Sequence, residues 1–298
     1  MTHRRAAPAR CAICEGKAHE VLYHGPIRVG RFGSYSAEPE TVWRCVECGA
    51  GRLPVSSVDY ETSEYRMLVD TADTVDAFRR THDGEQPEKL RMLGTSELRD
   101  RVVMDVGCGG GAFLDLVRGF ARTTIGVEPA TSLRRAVREA GHLAFAYCAD
   151  VPAEWAGRVD VAVAFSIIEH VEDPAALLRD VARLLCPGGR LLISTPNRRD
   201  LLLELLPEDY ARFFYRLVHL WYFDSASLTT LLHRAGFREV SVRYVHRFDL
   251  SNAVLWLRDK RPTGIGGLPT LRDADPVYRS VVESTGRADY LYAYARKA

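Results

Sequence analysis

From Val102 onward, short apolar runs alternate with stretches of helical periodicity, and that alternation leaves few ways to fold. Val102–Val106, 124–127, 144–148, Val159–Phe165 and 190–195 are short apolar runs with the length of buried strands. Residues 112–120, 132–140 and 174–185 between them have the spacing of amphipathic helices. Such a succession predicts βαβ units around a mostly parallel sheet. A helix over 225–235, stopped by Gly236, a sixth strand over 239–245 and a seventh over 289–295 extend it. Two stretches interrupt the rhythm. Residues 197–224 are rich in Leu and aromatics and are expected as a helical cover. Residues 247–286 are expected to carry a helix over 251–259, a Gly/Pro loop over 262–269 and another helix.

Residues 1–58 have a different character. They are polar and turn-rich and contain two C-x2-C pairs, Cys11/Cys14 and Cys45/Cys48. Thiolates spaced this way on tight turns supply two corners of a tetrahedron, and a second pair supplies the other two. A segment this short buries little core, so a bound metal would provide the missing folding energy. The expectation is a structural Zn2+ held by all four cysteines in a small zinc-ribbon-like module. Four thiolates leave no open coordination position, which argues against a catalytic metal. Gly16 and Gly49 follow the pairs where backbone of positive φ is expected. Between module and strands, 59–100 reads as a helical linker or cap, broken at Gly84-Glu85-Gln86-Pro87. The division is therefore 1–58, 59–100 and 101–298, with insertions at 197–224 and 247–286.

Bulk composition removes several function classes. A net charge of +1 over 298 residues provides no global footprint for nucleic acid. No apolar run approaches the roughly 18 residues of a membrane span. The basic start is not followed by the apolar core of a secretory signal. Cys108, Cys148 and Cys186 lie in apolar or glycine-rich segments, as free thiols do, so a reducing cytoplasm is the expected compartment.

The chemistry concentrates at the ends of the expected strands. Asp105 ends the first and opens the turn Asp105-Val106-Gly107-Cys108-Gly109-Gly110-Gly111. Gly107 permits a sharp turn, and Gly109 lets backbone approach a ligand closely. The following helix aims free N–H groups the same way. Glu128, after the second strand, suits the two hydroxyls of a ribose. Asp150, after the third, suits an adenine amino group. Gly107, Gly109 and Ala112 also satisfy G-x-G-x-x-G/A, so a nicotinamide dinucleotide has to be weighed. Asp105 opposes it, because a carboxylate repels a pyrophosphate and attracts an ammonium. The ligand that fits is an adenosine carrying a cationic amino acid.

Taken together, these residues resemble a class I S-adenosylmethionine (SAM)-dependent methyltransferase from about residue 60 onward. The matching motifs are Asp105–Gly111, Glu128, Asp150, Phe165-Ser166-Ile167-Ile168-Glu169-His170 and Leu185-Cys186-Pro187-Gly188-Gly189. The resemblance implies a Rossmann-like α/β fold with seven strands, the seventh antiparallel between the fifth and sixth. It implies a cofactor site of Asp105, Gly107, Gly109, Gly111, Glu128, Asp150 and Phe165.

An alcohol acceptor needs a base, because its protonated oxygen is a weak nucleophile. His170, beside Glu169, is the first candidate, and His219 in His219-Leu220-Trp221-Tyr222-Phe223 the second. Tyr60 and Tyr65 are placed to close over the cofactor, and Arg247, Asp249 and Asn252 to meet a polar acceptor. The expected activity is O-methylation of a sugar or other hydroxylated small molecule, with nucleic acid and membrane not expected as partners and a homo-oligomer left open. The alternatives are a zinc-finger ribosomal RNA methyltransferase and a non-catalytic SAM-binding scaffold. The cysteine pairs resemble those at the front of some deoxysugar methyltransferases, although the long additional C-terminal domain of that family is not expected here.

Overall fold

The computed structural model describes residues 6–55, 58–62 and 74–298. Tyr65 lies outside them. The chain forms two compact units. One gathers Met1–Ser57, Ser194–Thr230 and Val242–Ala293, and the other Val58–Ile193, Leu231–Ser241 and Tyr294–Ala298.

In chain order, strands β1 (His19–Gly25), β2 (Glu40–Cys45) and β3 (Gly51–Arg52) come first. Helices α1 (Val75–His82) and α2 (Gln86–Leu93) follow, separated by one tight turn over Asp83–Glu85. The alternating part begins with β4 (Val102–Val106), α3 (Ala112–Val117), β5 (Thr123–Val127), α4 (Thr131–Glu139) and β6 (Leu143–Phe145). It continues through β7 (Val159–Phe165), α5 (Pro174–Leu184) and β8 (Leu185–Pro196). Next come α6 (Leu201–Leu205), α7 (Asp209–Phe214), β9 (Trp221–Tyr222) and α8 (Ser225–Arg234). The last elements are β10 (Phe237–Val245), α9 (Leu250–Asp259), α10 (Asp275–Ser284) and β11 (Tyr290–Lys297).

Seven strands form a mixed sheet in the order β10-β11-β8-β7-β4-β5-β6. Strand β4 pairs in parallel with β5 (Asp105 opposite Gly126) and with β7 (Asp105 opposite Val163). All five residues of β4 are buried. A parallel strand covered on both faces needs such an unbroken apolar run, and Asp105 is the exception in it. The third expected strand is shorter than its sequence suggests. The Asp150 carboxylate accepts the Tyr147 N–H (3.1 Å), which turns Cys148–Asp150 into a short 3-10 segment instead of extended chain.

In the first unit, four strands form a second sheet in the order β1-β2-β3-β9. Trp221 and Tyr222 add as the edge strand, opposite Arg52 and Gly51. The stretch expected as a helical cover thus holds two short helices and then a strand. Ile27, Val42 and Leu53 share one core with Leu202, Tyr210, Phe214, Tyr222 and Trp256. The four-cysteine segment is therefore built into a core with residues of both insertions. Asp249 caps α9 by accepting the Asn252 N–H, and it also accepts the Gly266 N–H. Arg247 pairs with Asp289 (2.7 Å) and lies 3.5 Å from the Tyr290 ring centroid. Among the described residues, no helix is long and apolar enough to cross a membrane.

Candidate functional site

In the second unit, the turn after β4 is shaped by its glycines. Gly107, Gly109 and Gly111 all have positive φ (74°, 53° and 84°). A Cβ on Gly107 would overlap the Ile167 side chain, and one on Gly109 would lie 2.6 Å from Phe78 Cε1. Neither position has room for a side chain, because Ile167 and Phe78 pack against the backbone there. Glu128 fixes this turn to the end of β5. One of its carboxylate oxygens accepts the Gly109 N–H (2.9 Å) and the other accepts the Ala130 N–H (2.9 Å). Asp150 is exposed at its rim position, with one oxygen engaged by Tyr147.

Asp105 is only 4% exposed. Burial pushes its carboxyl up to about 7, Lys89 draws it down, and neighbouring Glu128 raises it. A carboxylate desolvated beside a second carboxylate favours a cationic partner. Phe165, at the end of β7, meets Phe113 edge-on (5.4 Å between centroids). Ser166 beside it is a non-glycine residue at φ 56°, the kind of backbone strain that gathers at functional sites. The glycine turn, the buried carboxylate and the aromatic wall fit an adenosyl group bearing a cationic amino acid.

The structure brings Tyr60 to His170. The Tyr60 hydroxyl lies 3.2 Å from His170 Nδ1, and the His170 side chain is buried. The next residue, Glu61, accepts the Tyr147 hydroxyl (2.5 Å). One short segment thereby reaches the loops after both β6 and β7. Helices α1 and α2 contribute residues that carry no motif. Phe78 covers Gly109, Arg79 Nε donates to the Gly110 carbonyl (2.7 Å), and Lys89 reaches Phe165. Sequence reading passes over them, since isolated Phe, Arg and Lys on short helices look like packing and solvated charge.

His219 belongs to the first unit. It is buried in the loop before β9, its ring 6.1 Å from that of Tyr222. The same unit holds the four cysteines. Cys11 and Cys48 have their sulfurs 3.7 Å apart, and Cys14 and Cys45 3.4 Å. All four sulfurs lie within 4.8 Å of one another. A tetrahedron with Zn–S bonds of about 2.3 Å has edges of about 3.8 Å, so the set fits zinc. Backbone N–H groups of Ile13 and Gly16 point at the first pair of sulfurs (3.4 Å each). The expected positive φ is present at Gly49 (79°), but in the first turn it falls on Glu15 (67°) rather than Gly16. At Gly16 the Glu47 carboxylate fills the space that a Cβ would take.

Comparison with known proteins agrees with this fold. Residues 78–242, more than half of the chain, match the family model described as a methyltransferase domain. A ubiquinone biosynthesis O-methyltransferase of Thiobacillus denitrificans is 32% identical over 149 residues, 43% of this chain and 64% of that protein. The enzyme of the same name from Coxiella burnetii is 29% identical over 182 residues, 54% of this chain and 74% of that one. This chain thus spans just under two thirds of the first relative and about three quarters of the second. The crystal structure of a SAM-dependent methyltransferase from Archaeoglobus fulgidus superposes with a TM-score of 0.53. It shares 18% identity, over 76% of this chain and all of that one, and so supports the fold.

Proposed function

The chain belongs to the methyltransferase domain family, and from that premise we propose that it moves a methyl group from SAM to an oxygen of a hydroxylated small molecule. The observation that carries the donor is Asp105, a buried carboxylate at the end of a central parallel strand, beside a turn with no room for side chains. Ligands of such sheets lie at the carboxyl ends of the strands. The choice of oxygen rests on the relatives, which are named O-methyltransferases. A sugar or another hydroxylated metabolite is the acceptor class.

When bound, the donor supplies a methyl group on an electron-poor sulfur. In this reading the chain's residues do the rest. Asp105 holds the donor's ammonium, Glu128 its ribose hydroxyls and Asp150 its adenine. Gly107, Gly109 and Gly111 keep the backbone close, and Phe165 presents an apolar wall. His170 takes the acceptor's proton, its Nδ1 held by Tyr60, while His219 packs beside Tyr222. A positioned base of this kind contributes typically 10²–10⁴-fold. Cys11, Cys14, Cys45 and Cys48 hold a structural zinc that staples the first unit.

Calorimetric titration with SAM and with NAD tests the donor. SAM binding with NAD silent is expected, and tight NAD uptake refutes the reading. Radiolabelled methyl transfer is then screened over phenols, sugar nucleotides and RNA. Label on an oxygen of a small molecule is the expected result; label on RNA alone would overturn the acceptor class.

A further inference from the structure

The loop after β1 brings two cations side by side in the first unit. The Val29 N–H donates to the Ser34 carbonyl (3.0 Å) and the Ser36 N–H to the Ile27 carbonyl (2.8 Å), which folds 27–36 back on itself with Arg28 opposite Tyr35. Residues 215–217 lie along its other edge. The Arg28 N–H donates to the Tyr215 carbonyl and the Leu217 N–H to the Arg28 carbonyl (2.9 Å each), so Arg28 pairs in parallel with Arg216. The Tyr222 hydroxyl fixes Arg216 in turn, accepting its N–H (2.9 Å) and donating to its carbonyl (3.1 Å). Paired residues of neighbouring extended segments project to the same face. Tyr35, Arg28 and Arg216 therefore stand in a row on one face.

Like charges directly opposite one another are destabilising unless something balances them. Among the described residues, no carboxylate pairs with either guanidinium, and Arg28 Nε is buried with no hydrogen-bond partner. The Arg28 guanidinium carbon lies 4.1 Å from the Phe213 ring centroid, which holds the side chain in place without neutralising it. Burial, and then the charge of Arg216, draw Arg28 down to about 9. The hydroxyls of Tyr210 and Tyr222 lie near it, but burial pushes both up, so they stay neutral around pH 7. The next cation, Arg212, lies 5.5 Å from the Tyr35 ring centroid and is already paired with Asp209 (3.1 Å).

We propose that Arg28 and Arg216 form an anion site in the first unit that takes the phosphate or diphosphate ester of a small molecule. Guanidinium forks match phosphate oxygens two at a time. A phosphate monoester carries about 1.5–2 negative charges near pH 7, which suits two cations, whereas a carboxylate brings one. The buried Nε–H of Arg28 gains its missing acceptor. One facing pair in a chain of net charge +1 suits a small ester and not a polyanion, which asks for a basic stripe. Resting on the proposed acceptor class, the ester is the anionic handle of a hydroxylated acceptor; the anion binding itself does not depend on that reading.

The experiment titrates the full chain with inorganic pyrophosphate, uridine diphosphate and uridine, with thermal melts reporting folding. Wild type is expected to bind both anions and to ignore uridine. Arg28→Met and Arg216→Met should each weaken both anions about tenfold or more, the loss of a charge-assisted contact. Arg216→Lys, which keeps the charge without the fork, should fall between them and wild type. Wild type silent toward both anions, uridine bound as tightly as its diphosphate, or a folded Arg216→Met that binds like wild type would each overturn the proposal. Pyrophosphate bound with uridine diphosphate excluded would overturn the ester and leave a free inorganic anion. Should the variants not fold, phenylglyoxal modification of wild type decides: pyrophosphate should protect Arg216 and not the exposed Arg31, and equal rates at both would overturn the site. Failure of methyl transfer to any small-molecule oxygen is a separate result, because the pyrophosphate titration needs neither donor nor acceptor.

Discussion

Replacing Asp105 by Asn separates what this side chain does for the fold from what it does for a ligand. Its carboxyl is pushed from an ordinary 3.8 to about 7, first by burial, then drawn back by Lys89, with Glu128 adding to the rise. A raised carboxyl pKa costs stability on the alkaline side. Well below pH 3.8 the group is neutral in both states and nothing is lost. Between 3.8 and 7 the folded chain keeps a proton that the unfolded chain has released. Above 7 both states are ionised and the cost is complete, at about 4 kcal/mol for three pH units. The isosteric amide does not titrate. Its stability advantage over wild type should therefore grow by about 2–3 kcal/mol between pH 5 and pH 8. Urea unfolding at the two pH values, without ligand, measures that divergence. Donor binding should move the other way, because the amide loses a charge-assisted contact worth about 1.5–3 kcal/mol. SAM affinity is then expected to fall roughly ten- to hundredfold at pH 8. Parallel stability profiles would refute the buried-carboxylate argument. An Asn variant that binds SAM as wild type does would refute the assignment of Asp105 to the ammonium.

Three further outcomes follow from the same geometry. Wild-type SAM affinity should weaken below pH 7 as Asp105 protonates, and this dependence should vanish in Asp105→Asn. A profile identical in both proteins would place the titrating group elsewhere. Metal analysis should find about one zinc per chain, and Cys45→Ser should lose it together with near-ultraviolet signal from the aromatic core around Tyr222 and Trp256, since both belong to the same unit. Retained zinc, or zinc lost without any change in that signal, would dismiss the staple. His170→Ala should lower kcat roughly 10²–10⁴-fold, and Tyr60→Phe should shift the pH–rate profile with a smaller loss. Full-rate transfer by His170→Ala would show that no base is needed there.

Much of the second unit could be read from the sequence because its determinants are local. The unbroken apolar run Val102–Val106 needs burial on both faces, and Asp105 stands out in it as the polar residue a parallel strand has no structural use for. The carboxylates at 105 and 128 stand at or just past the ends of successive parallel strands, and the second raises the pKa of the first, so their proximity was legible once the strands were read as parallel. Glycines 107, 109 and 111 announce their own dihedral requirement. Where local chemistry was ambiguous, reading from sequence went astray. Glu15, rather than Gly16, takes the left-handed conformation in the first cysteine turn, and the third strand stops early because Asp150 caps its own turn.

By itself, the sequence determined the alternating sheet, the glycine cradle and the spacing of the thiol pairs, because hydrophobic period and backbone permissiveness act over a few residues. Only the tertiary structure decided that Trp221 and Tyr222 would pair with the strand at Gly51, that Tyr60 would meet His170, and that Lys89 would reach Phe165. These contacts join residues 76 to 171 positions apart. No local preference encodes them; they form when two packed surfaces find complementary faces and the burial outweighs the entropy of closing the chain between them.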